Sequence, residues 1–141
     1  MNVWNRSRAA ALLALSMNVA GCGEGIGPSL PVIIGGAWKL NSIHVTSTNT
    51  TTVISRPENY TVTFEEGSRV GIKADCNVCG GTYSLSGEAL SITETFCTRA
   101  YCGDASNDRA FLEALSSATH VRVSENQLTI SSSKSEARFS R

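Results

Sequence analysis

From Ala37 onward the chain alternates apolar and polar residues in short runs separated by turn residues, a pattern that predicts an antiparallel β domain. Ala37–Val45 places Trp38 and Leu40 on one face and, after a one-residue slip, Ile43 and Val45, so a strand with a bulge is expected. Residues 46–52 are polar and threonine-rich and predict a loop or an edge hairpin. Tyr60–Glu65 alternates cleanly with Tyr60, Val62 and Phe64 inward. The turn at Glu66-Gly67 sends Arg69–Ala74 back as its hairpin partner. Thr82–Leu85, a turn at Ser86-Gly87-Glu88, and Ala89–Thr93 predict a second hairpin. One segment follows a different period. Within 106–118, Phe111, Ala114, Leu115 and Ala118 recur at helical spacing, with Ser106 or Asp104 available as a cap and Asp108 suited to the positive end of the helix dipole. Strands resume at His120–Ser124 and Gln127–Ser131, and Ala137–Phe139 predicts a last edge strand. The fold class expected is mainly β: a compact antiparallel, barrel-like domain carrying one amphipathic helix.

The first residues follow another logic. Arg6 and Arg8 precede an apolar run too short to span a bilayer, which has the length of a signal sequence core. The run ends in Val19-Ala20-Gly21-Cys22, which resembles the lipobox of bacterial lipoproteins. That resemblance implies a signal peptide over 1–21, cut before Cys22, whose sulfur and new amino group would carry palmitate-type acyl chains. Several such chains give stable anchoring where one is marginal. Gly23 stands where an aspartate is the usual inner-membrane retention cue, so the expected location is the outer membrane, facing the periplasm. Residues 22–36, rich in glycine and proline, read as a flexible tether, with Val32-Ile33-Ile34 as an alternative edge strand. The folded domain is then expected over 37–141.

The sequence of 141 residues has a formal net charge of zero and 6% aromatic residues. It shows no basic stripe, so nucleic acid is not an expected partner. A thin aromatic core in one small domain gains from covalent staples. Four of the five cysteines form two clusters, Cys76-x2-Cys79 and Cys97-x4-Cys102. Four thiolates at such spacing can hold zinc, and a Cys-x2-Cys pair can be redox-active. An export signal favours disulfides, because thiols oxidise outside the cytosol. Strands flanking the turn at Gly87 pair antiparallel, so bridged residue numbers should give a near-constant sum. That favours Cys79 with Cys97 and Cys76 with Cys102 over the crossed pairing, and over two tiny local loops.

The chain resembles the META domain family of HslJ-like bacterial lipoproteins. The resemblance is carried by Trp38-Lys39-Leu40, Tyr60–Phe64, Cys76-Asn77, Gly81-Thr82-Tyr83, Leu90-Ser91-Ile92, Thr98-Arg99, Cys102, Phe111–Leu115 and Leu128-Thr129-Ile130. The specific part is the order Cys-Asn, Gly-x-Tyr, Thr-Arg, Cys. It departs from the family at Asp75, where glycine is usual, and at Ala100-Tyr101. Cys79 and Cys97 replace an aromatic residue and a threonine, as an added second bridge would. The resemblance implies a compact β-barrel-like fold with one helix and no established reaction. It assigns Asn77, Tyr83, Thr98 and Arg99 to the family pattern, with a structural role expected for them.

The function expected is a non-enzymatic, monomeric envelope lipoprotein, bound to the membrane through Cys22 and joined to an envelope partner, in envelope stress or resistance. The alternative is a periplasmic inhibitor or small-ligand-binding protein that uses the loop at Thr46–Thr52 or the Cys97–Cys102 turn. His44 and His120 stand alone on strand-like stretches, and Glu65-Glu66 sits at a turn, so no catalytic set is expected. No cofactor motif, metal cluster or phosphate-cradling loop is read from the sequence.

Overall fold

The computed structural model describes residues 30–141; the expected signal peptide, Cys22 and the expected tether up to residue 29 lie outside them. A single helical turn, α1 (Leu30–Ile33), leads into β1 (Trp38–Val45), β2 (Thr50–Val53), β3 (Tyr60–Glu65) and β4 (Arg69–Ala74). There follow β5 (Asn77–Ser86), β6 (Ala89–Cys97), the helix α2 (Asp108–Ser116), β7 (His120–Ser124), β8 (Gln127–Ser131) and β9 (Ser135–Ser140). From β3 to β9 each strand pairs antiparallel with the next. β1 closes the series, because it pairs with β9 along nearly its whole length and with β3 through Trp38 and Lys39. The strands therefore form a ring, and β2 hangs outside it as the edge of a hairpin on β1.

The alternation seen in the sequence explains which side chains enter the ring. Trp38, Leu40 and Ile43 are buried, and the pairing of β1 with β9 slips between Leu40 and Ser42, so the bulge restores the inward face after two polar positions. Tyr60, Val62, Phe64, Val70, Ile72, Leu128, Ile130, Ala137 and Phe139 fill the same core. The ring is narrowest in pairing between β6 and β7, which meet only at Ala89 and His120. There α2 packs its apolar stripe: Phe111, Ala114 and Leu115 are buried. Phe111 meets Tyr60 edge-on at 5.9 Å and Phe139 at 6.1 Å between ring centroids. Burying a phenylalanine of this kind contributes about 3 kcal/mol, which secures the helix in the seam.

Three expectations need correction. Ala137–Phe139 is not an edge strand: β9 has β8 on one side and β1 on the other. Alternation marks an inward face but carries no information about how many neighbours a strand has. Residues 30–36 are not a free tether either. Ile33 is fully buried, its carbonyl accepts a 2.9 Å bond from Trp38 Nε1, and Ile34 bridges to Phe64. Ile33 and, in part, Ile34 dock while Val32 stays exposed, and Gly35 and Gly36, at φ 92° and 146°, turn the chain sharply into β1. The helix is shorter than 106–118, and its N-cap Asn107 makes no side-chain cap bond. The Ser106 hydroxyl, one of the two caps expected, accepts from Asp108 N–H at 3.2 Å, and Arg109 N–H is taken by Asp108 Oδ1 at 2.8 Å.

Candidate functional site

The cysteine clusters meet at one end of the ring. Asp75 and Cys76 form the two-residue turn between β4 and β5, Asn77 and Cys79 begin β5, and Cys97 ends β6. The chain then runs without regular structure to α2, carrying Thr98, Arg99 and Cys102. Cys76 is bridged to Cys102 with Cα atoms 5.6 Å apart, and Cys79 to Cys97 with Cα atoms 4.0 Å apart. The second bridge joins residues directly opposite each other on β5 and β6. The bridges are nested, and together they fasten the start of the irregular segment to β5.

Asn77 sits between the bridges, 3% exposed. Its side-chain carbonyl accepts from Ala100 N–H at 2.8 Å and from the Thr98 hydroxyl at 3.1 Å. Its amide donates to Ala100 C=O at 3.1 Å and to Asp108 Oδ2 at 3.3 Å, and lies 3.3 Å from Cys102 Sγ. One amide thus satisfies both backbone groups of Ala100 and reaches the first turn of α2. The Thr98 hydroxyl also accepts from Val78 N–H at 2.9 Å. Buried polar groups left unpaired are costly, and among the described residues no buried side-chain nitrogen or oxygen lacks a partner.

Tyr60 does the same for the far end of the segment. Its hydroxyl donates to Asp75 Oδ2 at 3.1 Å, lies 3.3 Å from Ser106 Oγ, and accepts from Asn107 N–H at 3.0 Å. The sequence marked Tyr60 as an inward strand residue within the Tyr60–Phe64 stretch of the resemblance, and gave its hydroxyl no role. Tyr83 packs edge-on against Phe64 at 5.0 Å and donates to Glu65 C=O at 3.1 Å. Its burial pushes the phenol pKa above the usual 10.0.

Arg99 differs from its motif neighbours. Its side chain is 85% exposed and its ion pair among the described residues, with Glu94, is 4.0 Å long. It holds nothing in place, so a pinning role fits Asn77 and Thr98 but not Arg99. The histidines stand on separate strands, each in an exposed contact with a threonine hydroxyl: His44 Nδ1 lies 3.0 Å from Thr51 Oγ1 and His120 Nδ1 lies 2.9 Å from Thr119 Oγ1. Cys79, Cys97 and Glu94 place three potential ligand atoms within 4.8 Å of one another. Both sulfurs are bonded to each other, however, so the cluster presents no thiolate to a metal. The arrangement is a clasp in which the polar and sulfur groups act on one another.

The META domain model matches residues 31–141. The chain belongs to the META domain family. The match begins at the docked turn α1, which makes the turn part of the META domain and not of what precedes it. The fold is similar to that of a solved protein from Burkholderia xenovorans, at 17% identity and TM-score 0.64 over 99% of this chain and 98% of that one. It is also similar to a DUF4847 family protein from Bacteroides vulgatus, at 13% identity and TM-score 0.60 over 78% and 94% of the two chains. A third solved protein shares 22% identity at TM-score 0.52 over 74% and 86%. These likenesses concern the fold alone. No curated protein matches the sequence. Against the META pattern, Asp75 stands where glycine is usual, and the structure supplies the reason for both residues. Its φ is 59°, a conformation open to glycine and tolerated by aspartate, and here the carboxylate receives Tyr60.

Proposed function

We propose that this META domain protein is a lipid-anchored, non-enzymatic component of the bacterial envelope, presenting a stapled domain to a partner in envelope stress or resistance. The META domain and its disulfides fit a non-enzymatic, envelope-type domain. The observation that carries the reading is the clasp. Two bridges and a saturated asparagine convert an irregular segment into a fixed surface, and such bridges are typical of oxidising compartments and rare in the cytosol. The signal peptide read over 1–21 supports the same compartment, and Cys22 after it supplies the anchor, with the outer membrane as the destination. The partner is an envelope protein met by a monomer.

The test expresses the full chain in a bacterium with two membranes and follows incorporation of labelled palmitate. Wild type should carry label and fractionate with the outer membrane, and Cys22→Ala should lose the label and leave the membrane. Unlabelled wild-type protein, or a membrane fraction unchanged by Cys22→Ala, would refute the anchored reading. A second reading, a small-ligand-binding protein, has one observation in its favour. A groove of about 470 Å³ lies between α2, β1 and the segment before β9, lined on its apolar side by Ile43, Val45, Ala110 and Ala114. A thermal-shift screen of envelope metabolites tests it, and no stabilising compound would count against it.

A further inference from the structure

The outer face of β7, β8 and β9 bears a trough that the clasp does not involve. Residues directly opposite on antiparallel strands share a face. Arg122 stands opposite Thr129, and Thr129 stands opposite Arg138. In the next row, Ser131 lies between His120 and Glu136. The middle strand therefore carries the short Thr129 and Ser131, with the longer Gln127 at one end, and its neighbours carry Arg122 and His120 on one side and Arg138 and Glu136 on the other. The consequence is a concavity of about 340 Å³, floored by Thr129 and Ser131 and walled by the two arginines.

The arginines are held in a particular way. Arg122 Nε lies 3.4 Å from Glu88 Oε1, and Arg138 Nε lies 2.8 Å from Glu136 Oε1. Glu88 is itself placed by a 2.8 Å bond from Val121 N–H to its carbonyl. Both ion pairs use Nε and leave the Nη groups of each guanidinium for a third party. Two strand spacings set the arginine Cα atoms about 10 Å apart, so two long side chains can close on one small group from opposite sides. The glutamates balance the charge of the two arginines and offer acceptors at the margins of the trough.

We propose that this trough binds a phosphate group, seated over the Thr129 hydroxyl between the Nη groups of Arg122 and Arg138. A guanidinium presents a planar fork that matches a tetrahedral oxyanion through paired bonds. Glu88 and Glu136 suit hydroxyl groups on the remainder of the ligand, which makes a phosphomonoester of a polyol the best complement. The same chemistry occurs in a free metabolite and in the headgroup of a glycerophospholipid.

The test uses the full chain with its bridges intact, titrated at low ionic strength with inorganic phosphate and with glycerol 3-phosphate while backbone amide resonances are followed. Vesicles of phosphatidylglycerol, with phosphatidylcholine as control, form the lipid arm. Addition of phosphate or its ester should move the resonances of β7–β9. Arg122→Gln and Arg138→Gln should each weaken binding about tenfold or more, since each removes charge-assisted bonds. Thr129→Val should weaken it less, and Arg69→Gln, an exposed arginine elsewhere on the ring, should leave it unchanged. Melting temperatures should stay near wild type, because exposed ion pairs contribute little. Binding confined to phosphatidylglycerol vesicles and lost in Arg122→Gln supports the site with the headgroup as its source. No response to any of the three probes, or a response undiminished in the Arg122→Gln, Arg138→Gln double variant, overturns the proposal.

Discussion

Replacing Asn77 by alanine tests the clasp most directly. The substitution removes two bonds to the Ala100 peptide, one from Thr98 and one to Asp108. Three of these are neutral pairs worth about 1 kcal/mol each net, and the fourth involves a carboxylate in part-exposed surroundings and adds about as much. The side chain is 3% exposed, so its former partners have little access to replacement water. The expected loss is about 3–4 kcal/mol, a large share of the stability of a small domain. For a domain near this size it corresponds to a fall of about 10–20 °C in melting temperature. The assay is urea unfolding without reductant, so that both bridges persist in the unfolded state and the difference reports the hydrogen bonds. Asn77→Asp is the companion. It keeps the shape and the acceptor but cannot donate to Ala100 C=O, and it sets a second carboxylate beside Asp108, so at neutral pH it should lose at least as much and recover partly on acidification. An Asn77→Ala variant within about 1 kcal/mol of wild type would refute the view that this side chain organises the irregular segment.

The remaining expectations concern glycine, sulfur and phenol. A Cβ at Gly81 would meet the backbone carbonyl of Thr93, whereas one at Gly80 would meet only the far edge of the Phe96 ring, 2.6 Å away and 60% exposed. Gly81→Ala should therefore destabilise by about 2 kcal/mol or more in thermal unfolding, and Gly80→Ala by about 1 kcal/mol or less; equal effects would contradict the geometry. Removing the inner bridge with Cys79→Ser and Cys97→Ser together should cost about 2 kcal/mol in denaturant, less than an isolated loop of that size, because the outer bridge already restrains its ends. No loss, or a loss of the whole fold, would contradict the nested account. Burial raises the Tyr83 phenol above 10.0, so its contribution is complete below that pH and is lost as pH rises through the folded-state value. Subtracting the tyrosinate titration of Tyr83→Phe from wild type should isolate a late ionisation coupled to unfolding. Ionisation near the ordinary value in a folded protein would contradict it.

What the sequence made legible was what depends on near neighbours. Alternation in Tyr60–Phe64 and helical spacing in Phe111–Leu115 each follow from a local period, and both faces are buried. The opposition of Cys79 and Cys97 is readable because residue numbers across one hairpin keep a nearly constant sum. What required the folded chain was the identity of distant partners. Nothing in Ala137–Phe139 announces that β1, about a hundred residues earlier, lies beside it. Val32-Ile33-Ile34 looked like part of a linker because the surrounding glycine and proline outweighed the apolar residues, and the partners of Ile33 and Ile34, Trp38 and Phe64, come from later strands. The motif marked Asn77, Thr98 and Arg99 alike, and only geometry separates the two that bind the backbone from the one that faces water. The row Arg122, Thr129, Arg138 has no linear signature at all, since it exists only across three strands in register.

The closure of the ring by β1 and β9 has a consequence for the order of events in time. β1 is among the first segments to emerge during synthesis or export and β9 among the last, so β1 waits with its long edge unpaired until nearly the whole domain has been delivered. Contacts so distant along the chain form slowly, and an unpaired edge is prone to stray association meanwhile. The hairpins β3–β4 and β5–β6 are local and can form during that interval. All four bridging cysteines lie between residues 76 and 102, so both staples can be set before the final strand arrives. Oxidation can then precede closure, and for a chain whose staples are already made the remaining long-range step is the docking of β9 into the gap between β8 and β1.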